Sequence, residues 1–458
     1  MEQKGKIFDV LIIGGGPAAI TIVKTLAGKR KAAVIRPEDH SMIYCAMPYV
    51  IEKILPMEKT FKKDELVTNT GAELIRDTVT KVDFGTKSLF TASGREYGYE
   101  KLVIATGASP VLPPVEGRDL EGVMTFKTEN DLRKILAGAE NGLKKAAVVG
   151  AGAIGIELAQ ALNSIGVETH LVDMETQVLP NLVDADMATE AQERLAAMGI
   201  KLHLGEMVTA LKGDKAVREL VLQSGEKIPL HSTGKNTPSD GSNGVVVFAV
   251  GVKADVNLFT GTGLEIGPDG ILVNERMETN IQDVYAGGDC VQFTSAVTGE
   301  IMNGKLATNA VPMGRVVGKN LLGEKVLYGG FFNGAATKVE DLFIGGTGLS
   351  EKAAAKKFDI ITGRAELTTM FPIMPGASGV RLKLIADSST GRILGGQVSG
   401  GAPVADKVDL ITMAVQNRLT LDDAAMFSYS AQPYQSFFPA DNLLVAAAED
   451  AKKKLRAA

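Results

Sequence analysis

Two short apolar runs in this chain each end in a glycine-rich turn and then open into an apolar-periodic segment. The first reads Val10-Leu-Ile-Ile-Gly14-Gly15-Gly16-Pro-Ala-Ala19, the second Ala147-Val-Val-Gly150-Ala-Gly152-Ala-Ile-Gly155. The runs read as buried strands and the segments that follow as helices. In that setting the glycines allow a tight turn, a close approach of backbone to a pyrophosphate, and a helix N-terminus facing the phosphates. One such match would be weak. Two, at Gly14 and Gly150, imply two dinucleotides held in one α/β protein, and the chemistry that needs two is electron transfer between a nicotinamide and a flavin.

The chain's 458 residues suit about three domains of roughly 100–200 residues each. The formal charge of −5 argues against a nucleic-acid partner. No apolar stretch reaches the ~20 residues of a membrane span. The start, Met-Glu-Gln-Lys-Gly-Lys, runs straight into the first strand and leaves no room for a signal peptide. The only cysteines, Cys45 and Cys290, make no disulfide framework, which predicts a cytoplasmic protein.

Along the chain, residues 7–36 read strand, turn, helix, strand, and residues 101–107 form a strand ending at Gly107. Pro110, Pro113 and Pro114 mark a domain crossing. Residues 129–173 repeat the strand-helix-strand pattern, 231–244 read as a polar loop, and 245–251 and 283–289 as strands. Helices are predicted over 306–322, 350–356 and 403–417. A last helix starts at Asp441 as N-cap, with Lys452, Lys453, Lys454 and Arg456 in its final turns.

An acidic residue after the second strand of such a unit accepts hydrogen bonds from the adenosine ribose and repels a 2′-phosphate. Asp173 stands there in the second unit and favours NADH over NADPH. The first unit has Arg36 instead. It could stack on adenine or pair with a phosphate, with Glu38 or Asp39 reaching the ribose. Lys24, Lys29, Arg30 and Lys31 offer either a landing place for phosphates or simply a solvated face.

The tandem fingerprints, Ala105-Thr106-Gly107 and the segment Thr279-Asn-Ile-Gln-Asp-Val-Tyr-Ala-Gly-Gly-Asp289 resemble the FAD-dependent pyridine nucleotide–disulfide oxidoreductase family over essentially the whole chain. The resemblance implies two Rossmann-like domains, the NAD domain inserted in the FAD domain, plus a C-terminal α+β dimerisation domain. The implied bounds are 1–115 and 255–329 for FAD, 116–254 for NAD(H) and 330–458 for the interface. Gly14, Gly16, Ala19, Arg36, Thr106, Gly107 and Asp289 would hold FAD. Gly150, Gly152, Gly155 and Asp173 would hold NADH. Glu157 resembles a family residue near the nicotinamide, and Gly251 joins the cofactor-binding set.

The cysteine pattern selects a branch. Neither Cys-x4-Cys nor Cys-x2-Cys is present. Ser41-Met-Ile-Tyr-Cys45-Ala-Met-Pro48-Tyr49-Val-Ile51 resembles the Ser-Phe-x-x-Cys-x-x-Pro-Tyr-x-Ile segment of the single-cysteine branch, which holds coenzyme A-disulfide reductases, NADH oxidases, NADH peroxidases and per- or polysulfide reductases. Cys45 would be the nucleophile that forms a mixed disulfide. Cys290 reads as a packing residue. The four histidines, His40, His170, His203 and His231, include no C-terminal His-Glu pair and none in the first glycine loop, which argues against peroxide as dedicated substrate.

Ala431-Gln432-Pro433-Tyr434-Gln-Ser436 resembles the Tyr-Ala-Pro-Pro-Tyr-Ser-Ser motif of coenzyme A-disulfide reductases, which sends a tyrosine toward the partner subunit's cysteine; Tyr434 matches the second tyrosine. Ser430 replaces the first, Tyr44 stands where an asparagine often precedes the cysteine, and Ile373-Met374 replace a tyrosine pair. These departures leave coenzyme A open. The expectation is a homodimeric flavoprotein reducing a small disulfide or sulfane-sulfur compound with NADH. The alternatives are an NADH oxidase using oxygen, or an electron-transfer reductase for a small redox protein.

Overall fold

The computed structural model describes residues 5–231, 244–436 and 439–457. Nearly all of the predicted 231–244 loop lies outside the described residues. The chain forms two compact units: 1–47, 55–110 and 251–331 make the first, and 48–54, 111–250 and 332–458 the second. In chain order, the elements that matter for the site are β1 (Lys6–Ile13), α1 (Pro17–Leu26), β2 (Ala32–Arg36), β3 (Glu96–Ile104), β4 (Lys145–Val149), α2 (Ala153–Ser164), β5 (Glu168–Asp173), β6 (Gly244–Phe248), β7 (Val284–Ala286) and α3 (Ala307–Leu321).

In the first unit β2, β1, β3 and β7 lie parallel and side by side, with Glu73–Arg76 outside β2. The register aligns Ile35, Ile13, Ile104 and Ala286 in one row, at which three of the strands end and beyond which β2 runs one residue further. The residues that leave this edge are Arg36, Gly14, Ala105 and Gly287. The strands are apolar toward this edge because both faces of a parallel sheet are covered there; Val10–Ile12, Val34 and Leu102–Ile104 are buried. Helices α1 and α3 pack closely, since a Cβ on Gly314 would stand 2.6 Å from the Ala18 carbonyl oxygen.

The second unit holds two folded parts. A five-stranded parallel sheet runs Val123–Thr125, β6, β4, β5, Lys201–Leu204, and a five-stranded antiparallel sheet is built from residues 335–400. Lys383 of the antiparallel sheet is fully buried. Its ammonium lies 3.0 Å from both Asp184 and Asp186, which open the helix Ala185–Ala197, and 2.5 Å from Glu351. A buried charge held this way costs several kcal/mol to strip of its partners.

The fold is α/β, with two Rossmann-like nucleotide folds and a C-terminal α+β part. Two details correct the expected elements. Strands predicted at 245–251 and 283–289 are shorter, Gly244–Phe248 and Val284–Ala286, because the glycines that follow turn the chain. The last helix is capped by Asn442, not Asp441: the Asn442 side chain accepts from the Leu444 and Val445 N–H groups, and its carbonyl accepts from Ala446. Asp441 is one residue too early to reach them. No helix among the described residues is long and apolar enough to cross a membrane.

Candidate active site

The carboxyl edge of the first sheet gathers most of the residues expected around one dinucleotide. Gly14 has φ +104°, its N–H donates to the Ile35 carbonyl at 2.8 Å, and a Cβ there would sit 2.0 Å from the Ala105 oxygen. Only glycine fits that crossing of strands. A Cβ on Gly16 would meet nothing within 4 Å, and Gly16 caps α1 with no side-chain hydrogen bond. The first turn of α1 carries no acidic residue, with Pro17 at its start, so its free N–H groups offer an uncontested place for phosphate. Ala19 is buried beneath the loop. Thr106 donates its hydroxyl to the Asp255 carbonyl at 2.7 Å, and Asp289 follows Gly288 at the end of β7. This cradle fits a dinucleotide: open space at Gly16, a helix start with free donors, and a buried arginine, Arg36, beside the loop.

Cys45 sits on a short turn of 3₁₀ helix, Tyr44–Ala46, in the same unit. The strand Ser41–Met42 leads into it and pairs antiparallel with Phe61–Lys62, Ser41 opposite Lys62, while the Ile43 N–H donates to the Thr60 carbonyl at 2.8 Å. Cys45 is exposed. Lys62 is half-buried; desolvation lowers its pKa, the charge of Cys45 opposes that shift, and Lys24 adds to it. Lys62 thus lies within electrostatic reach of Cys45. Tyr44 has its pKa raised by desolvation and by Glu38 and Asp289, against Arg36, so the cysteine's neighbour lies within electrostatic reach of the sheet edge. His40 stacks on Phe61 with ring centroids 4.2 Å apart. Of the basic cluster, Lys31 donates to the Ile7 carbonyl at 2.6 Å.

Cys290 has the opposite setting. It is fully buried, its Sγ lies 3.4 Å from the Ile104 carbonyl oxygen, and desolvation pushes its pKa up to about 11. A thiol so placed is inert at neutral pH.

The second cradle repeats the first in the other unit. Gly150 has φ +111°, donates to the Val172 carbonyl at 2.7 Å, and leaves no room for a Cβ, which would stand 2.5 Å from the Ala249 oxygen. Gly152 opens on free space at the start of α2. A Cβ on Gly155 would lie 1.8 Å from the Gly150 oxygen. The Asp173 carboxylate accepts from the Ala151 N–H at 2.5 Å and the Glu175 N–H at 2.8 Å. Gly251 (φ +107°) lies in the first unit.

Glu157 on α2 is half-buried and accepts a 2.6 Å hydrogen bond from the Thr337 hydroxyl. Desolvation raises its pKa, Thr337 opposes that, and Glu52 raises it further. Desolvation raises Glu52 too, against Lys338. Thr337, Lys338 and Glu52 escaped the sequence reading. They come from the C-terminal sheet and from the segment after Cys45, and no local motif announces that they meet α2. Lys62 was missed for the same reason. Tyr434 is 59% exposed, its N–H donating to the Gln432 side chain at 2.8 Å. Ile373 and Met426 are also well exposed. No cluster of metal-ligating side chains occurs among the described residues.

A family model described as pyridine nucleotide-disulphide oxidoreductase matches residues 8–314, and the model of that family's dimerisation domain matches 335–437. An NADH oxidase of Methanocaldococcus jannaschii is 35% identical over 97% of this chain and 99% of its own length. An NAD(P)H coenzyme A polysulfide/persulfide reductase of Pyrococcus horikoshii is 30% identical over 91% and 92%. The structure of an NAD-dependent persulfide reductase from A. fulgidus superposes with a TM-score of 0.90 at 30% identity, covering 98% of this chain and 83% of the other.

Proposed function

This chain belongs to the pyridine nucleotide-disulphide oxidoreductases, a flavoprotein oxidoreductase using FAD and NAD(H), and on that premise we propose that it reduces a low-molecular-weight disulfide or sulfane-sulfur compound with NADH through Cys45. The observation that carries the proposal is the contrast between its two thiols. Cys45 is exposed on a short turn that follows the strand paired with Phe61–Lys62, whereas Cys290 is sealed in the core. The coenzyme A polysulfide/persulfide reductase of P. horikoshii supports a coenzyme A persulfide or polysulfide within that substrate class.

Bound FAD supplies the two-electron relay between nicotinamide and sulfur. The chain's own residues do the rest. In this reading the first cradle, Gly14, Gly16, Ala19, Arg36, Thr106, Gly107 and Asp289, holds FAD, and Gly150, Gly152, Gly155 and Asp173 hold NADH, with Gly251 in the cofactor-binding set. The α1 and α2 N-termini face the two pyrophosphates. Glu157 lies toward the nicotinamide, fixed by Thr337. The Cys45 thiolate attacks the sulfur–sulfur bond; one half leaves as a thiolate and takes a proton, and the other stays on Cys45 as a mixed disulfide. The electron pair from NADH then breaks that bond, freeing the second thiol and restoring the Cys45 thiolate. In sum, NADH, a proton and the disulfide give NAD⁺ and two thiols.

The proposal includes a cytoplasmic homodimer in which Tyr434 serves the partner's cysteine; its exposure, with that of Ile373 and Met426, suits a surface that another subunit covers. It also keeps the division into FAD (1–115, 255–329), NAD(H) (116–254) and interface (330–458) domains. A second reading, an NADH oxidase, is favoured by the M. jannaschii relative. Steady-state turnover of NADH with coenzyme A disulfide, polysulfide or oxygen separates the two. The sulfur reading expects the thiol substrates to be preferred by tenfold or more, and oxygen preferred by that margin would overturn it.

A further inference from the structure

The turn after β7 carries Asp289 into the first cradle, and sulfur holds that turn from beneath. Gly287 donates its N–H to the Ile104 carbonyl, the last of β3, at 3.0 Å, and the Val291 N–H closes the turn on the Gly288 carbonyl at 3.2 Å. Between these bonds lies the Gly288 N–H, at a residue with φ +86°, and it donates to a thioether: Met313 Sδ of α3 stands 3.4 Å away. A second sulfur, Cys290 Sγ, lies 3.4 Å from the Ile104 oxygen and 3.5 Å from the Gly287 oxygen. The space is close on every side. A Cβ on Gly288 would stand 3.3 Å from the Ala18 Cβ of α1 and 3.6 Å from the Ala310 Cβ of α3, and one on Gly287 would stand 3.6 Å from the Met313 Cβ. Gly287, Gly288, Cys290, Val291 and Met313 are buried, while Asp289 is only half-buried, so the carboxylate is what this turn presents outward. The carbonyls within α3 are spent on its own ladder, so a side chain is what the helix can offer the turn. Methionine, unbranched and polarizable, spans the gap and supplies a weak acceptor. Without it the buried Gly288 N–H would go unmatched, and the cost would fall on the peptide next to Asp289.

We propose that Met313 is a positioning residue of the flavin cradle: its thioether, by taking the Gly288 N–H, fixes the peptide that presents the Asp289 carboxylate to FAD. Met313 touches no cofactor in this account. It acts from the far side of the turn, through one hydrogen bond, and its effect reaches FAD only by way of Asp289. The inference rests on reading the first cradle, with Asp289 in it, as the FAD site.

The test is a double-mutant cycle on FAD affinity. Holoenzyme is diluted, and the rise of free-flavin fluorescence gives the Kd for FAD. Met313→Leu keeps the bulk and removes the acceptor, an exchange that packing tolerates well. It should weaken FAD about tenfold. Met313→Gln has the same reach and returns an acceptor as a carbonyl oxygen, so it should bind FAD more tightly than Met313→Leu, within about threefold of wild type. Asp289→Ala should weaken FAD about tenfold or more, and adding Met313→Leu to it should change the Kd by no more than about twofold, because the carboxylate through which Met313 acts is gone. The same tenfold loss from Met313→Leu in both backgrounds would mark a general packing role and overturn the proposal. Wild-type affinity in Met313→Leu would overturn it too, as would a Met313→Gln protein that binds no better than Met313→Leu. If Asp289→Ala holds FAD as tightly as wild type, the reading of Asp289 in the cradle fails; if it weakens FAD while Met313→Leu does not, only the role of Met313 fails.

Discussion

The two nucleotide folds in this chain share a backbone plan and differ in how tightly each position is constrained. At the third fingerprint position the second unit needs glycine, because a Cβ on Gly155 would stand 1.8 Å from the Gly150 oxygen, whereas the first unit buries Ala19 there without conflict. At the second position the demand is reversed: Gly15 is pressed by Arg36, while Ala151 sits comfortably and donates to Asp173. A glycine fingerprint is therefore not one rule applied twice. Each glycine answers a particular neighbour, and the neighbour changes with the residue at the end of the second strand.

Within the second unit the nucleotide fold is tied to the C-terminal sheet through Lys383, so its stability should depend on that link. Lys383→Met would leave Asp184 partly buried without its cation, and a loss of about 3–5 kcal/mol is expected in a denaturant titration followed by far-UV circular dichroism. An unchanged midpoint would show that the ionic cluster is not what holds the two parts. Gly155→Ala should cost about 2–3 kcal/mol by overpacking against backbone. Ala19→Gly, the mirror exchange, should cost only about 1 kcal/mol, the helix propensity difference. Similar costs for both would break the contrast.

Between pH 6.5 and 4, acid should strain the second sheet through a histidine that the first sheet lacks. His170 on β5 is buried, its Nδ1 3.0 Å from His203 Nε2, and desolvation lowers its pKa to about 4. Its strand counterpart, β2, begins Ala-Ala-Val-Ile. An unfolded histidine takes up a proton near pH 6.5, while the folded one resists until about pH 4. The unfolded state thus binds more protons across that window, and stability falls as pH drops from 6.5 to 4, by about 2–3 kcal/mol in all. His170→Phe should flatten this part of the stability–pH curve; a curve that keeps its slope would place the acid sensitivity elsewhere. A further effect concerns cofactor choice. Asp173→Ala should narrow the NADH over NADPH preference about tenfold in kcat/KM, near 1.4 kcal/mol. Wild-type protein preferring NADPH would show that the carboxylate does not read the ribose.

How far the sequence was legible follows the same division. The fingerprints, Asp289 and the cysteine segment were readable because each is a local motif whose context, strand then turn then helix, lies in adjacent residues. The packing role of Cys290 followed from its place directly after Asp289. Lys62 and Thr337 were not readable. Lys62 is brought opposite Ser41, near the cysteine in sequence, by a two-residue strand pair closed across a connection of eighteen residues, 43–60, and Thr337 reaches Glu157 from the C-terminal sheet. No periodicity encodes either meeting. Arg36 was visible as an anomaly but ambiguous, since its stem on Gly15 and its tether to Asp64 exist only in the folded chain.

The central claim is that sulfur chemistry runs through the exposed thiol and not the buried one. Cys45→Ser and Cys290→Ser, assayed side by side with NADH and either coenzyme A disulfide or polysulfide, test it most directly, with anaerobic reduction of the flavin by NADH recorded for each. Cys45→Ser should keep flavin reduction within about twofold and lose at least a thousandfold of sulfur turnover, because an alcohol cannot form the mixed disulfide. Cys290→Ser should keep both activities in whatever protein folds. Full sulfur turnover by Cys45→Ser would contradict the account and leave an oxidase or an electron-transfer reductase in its place.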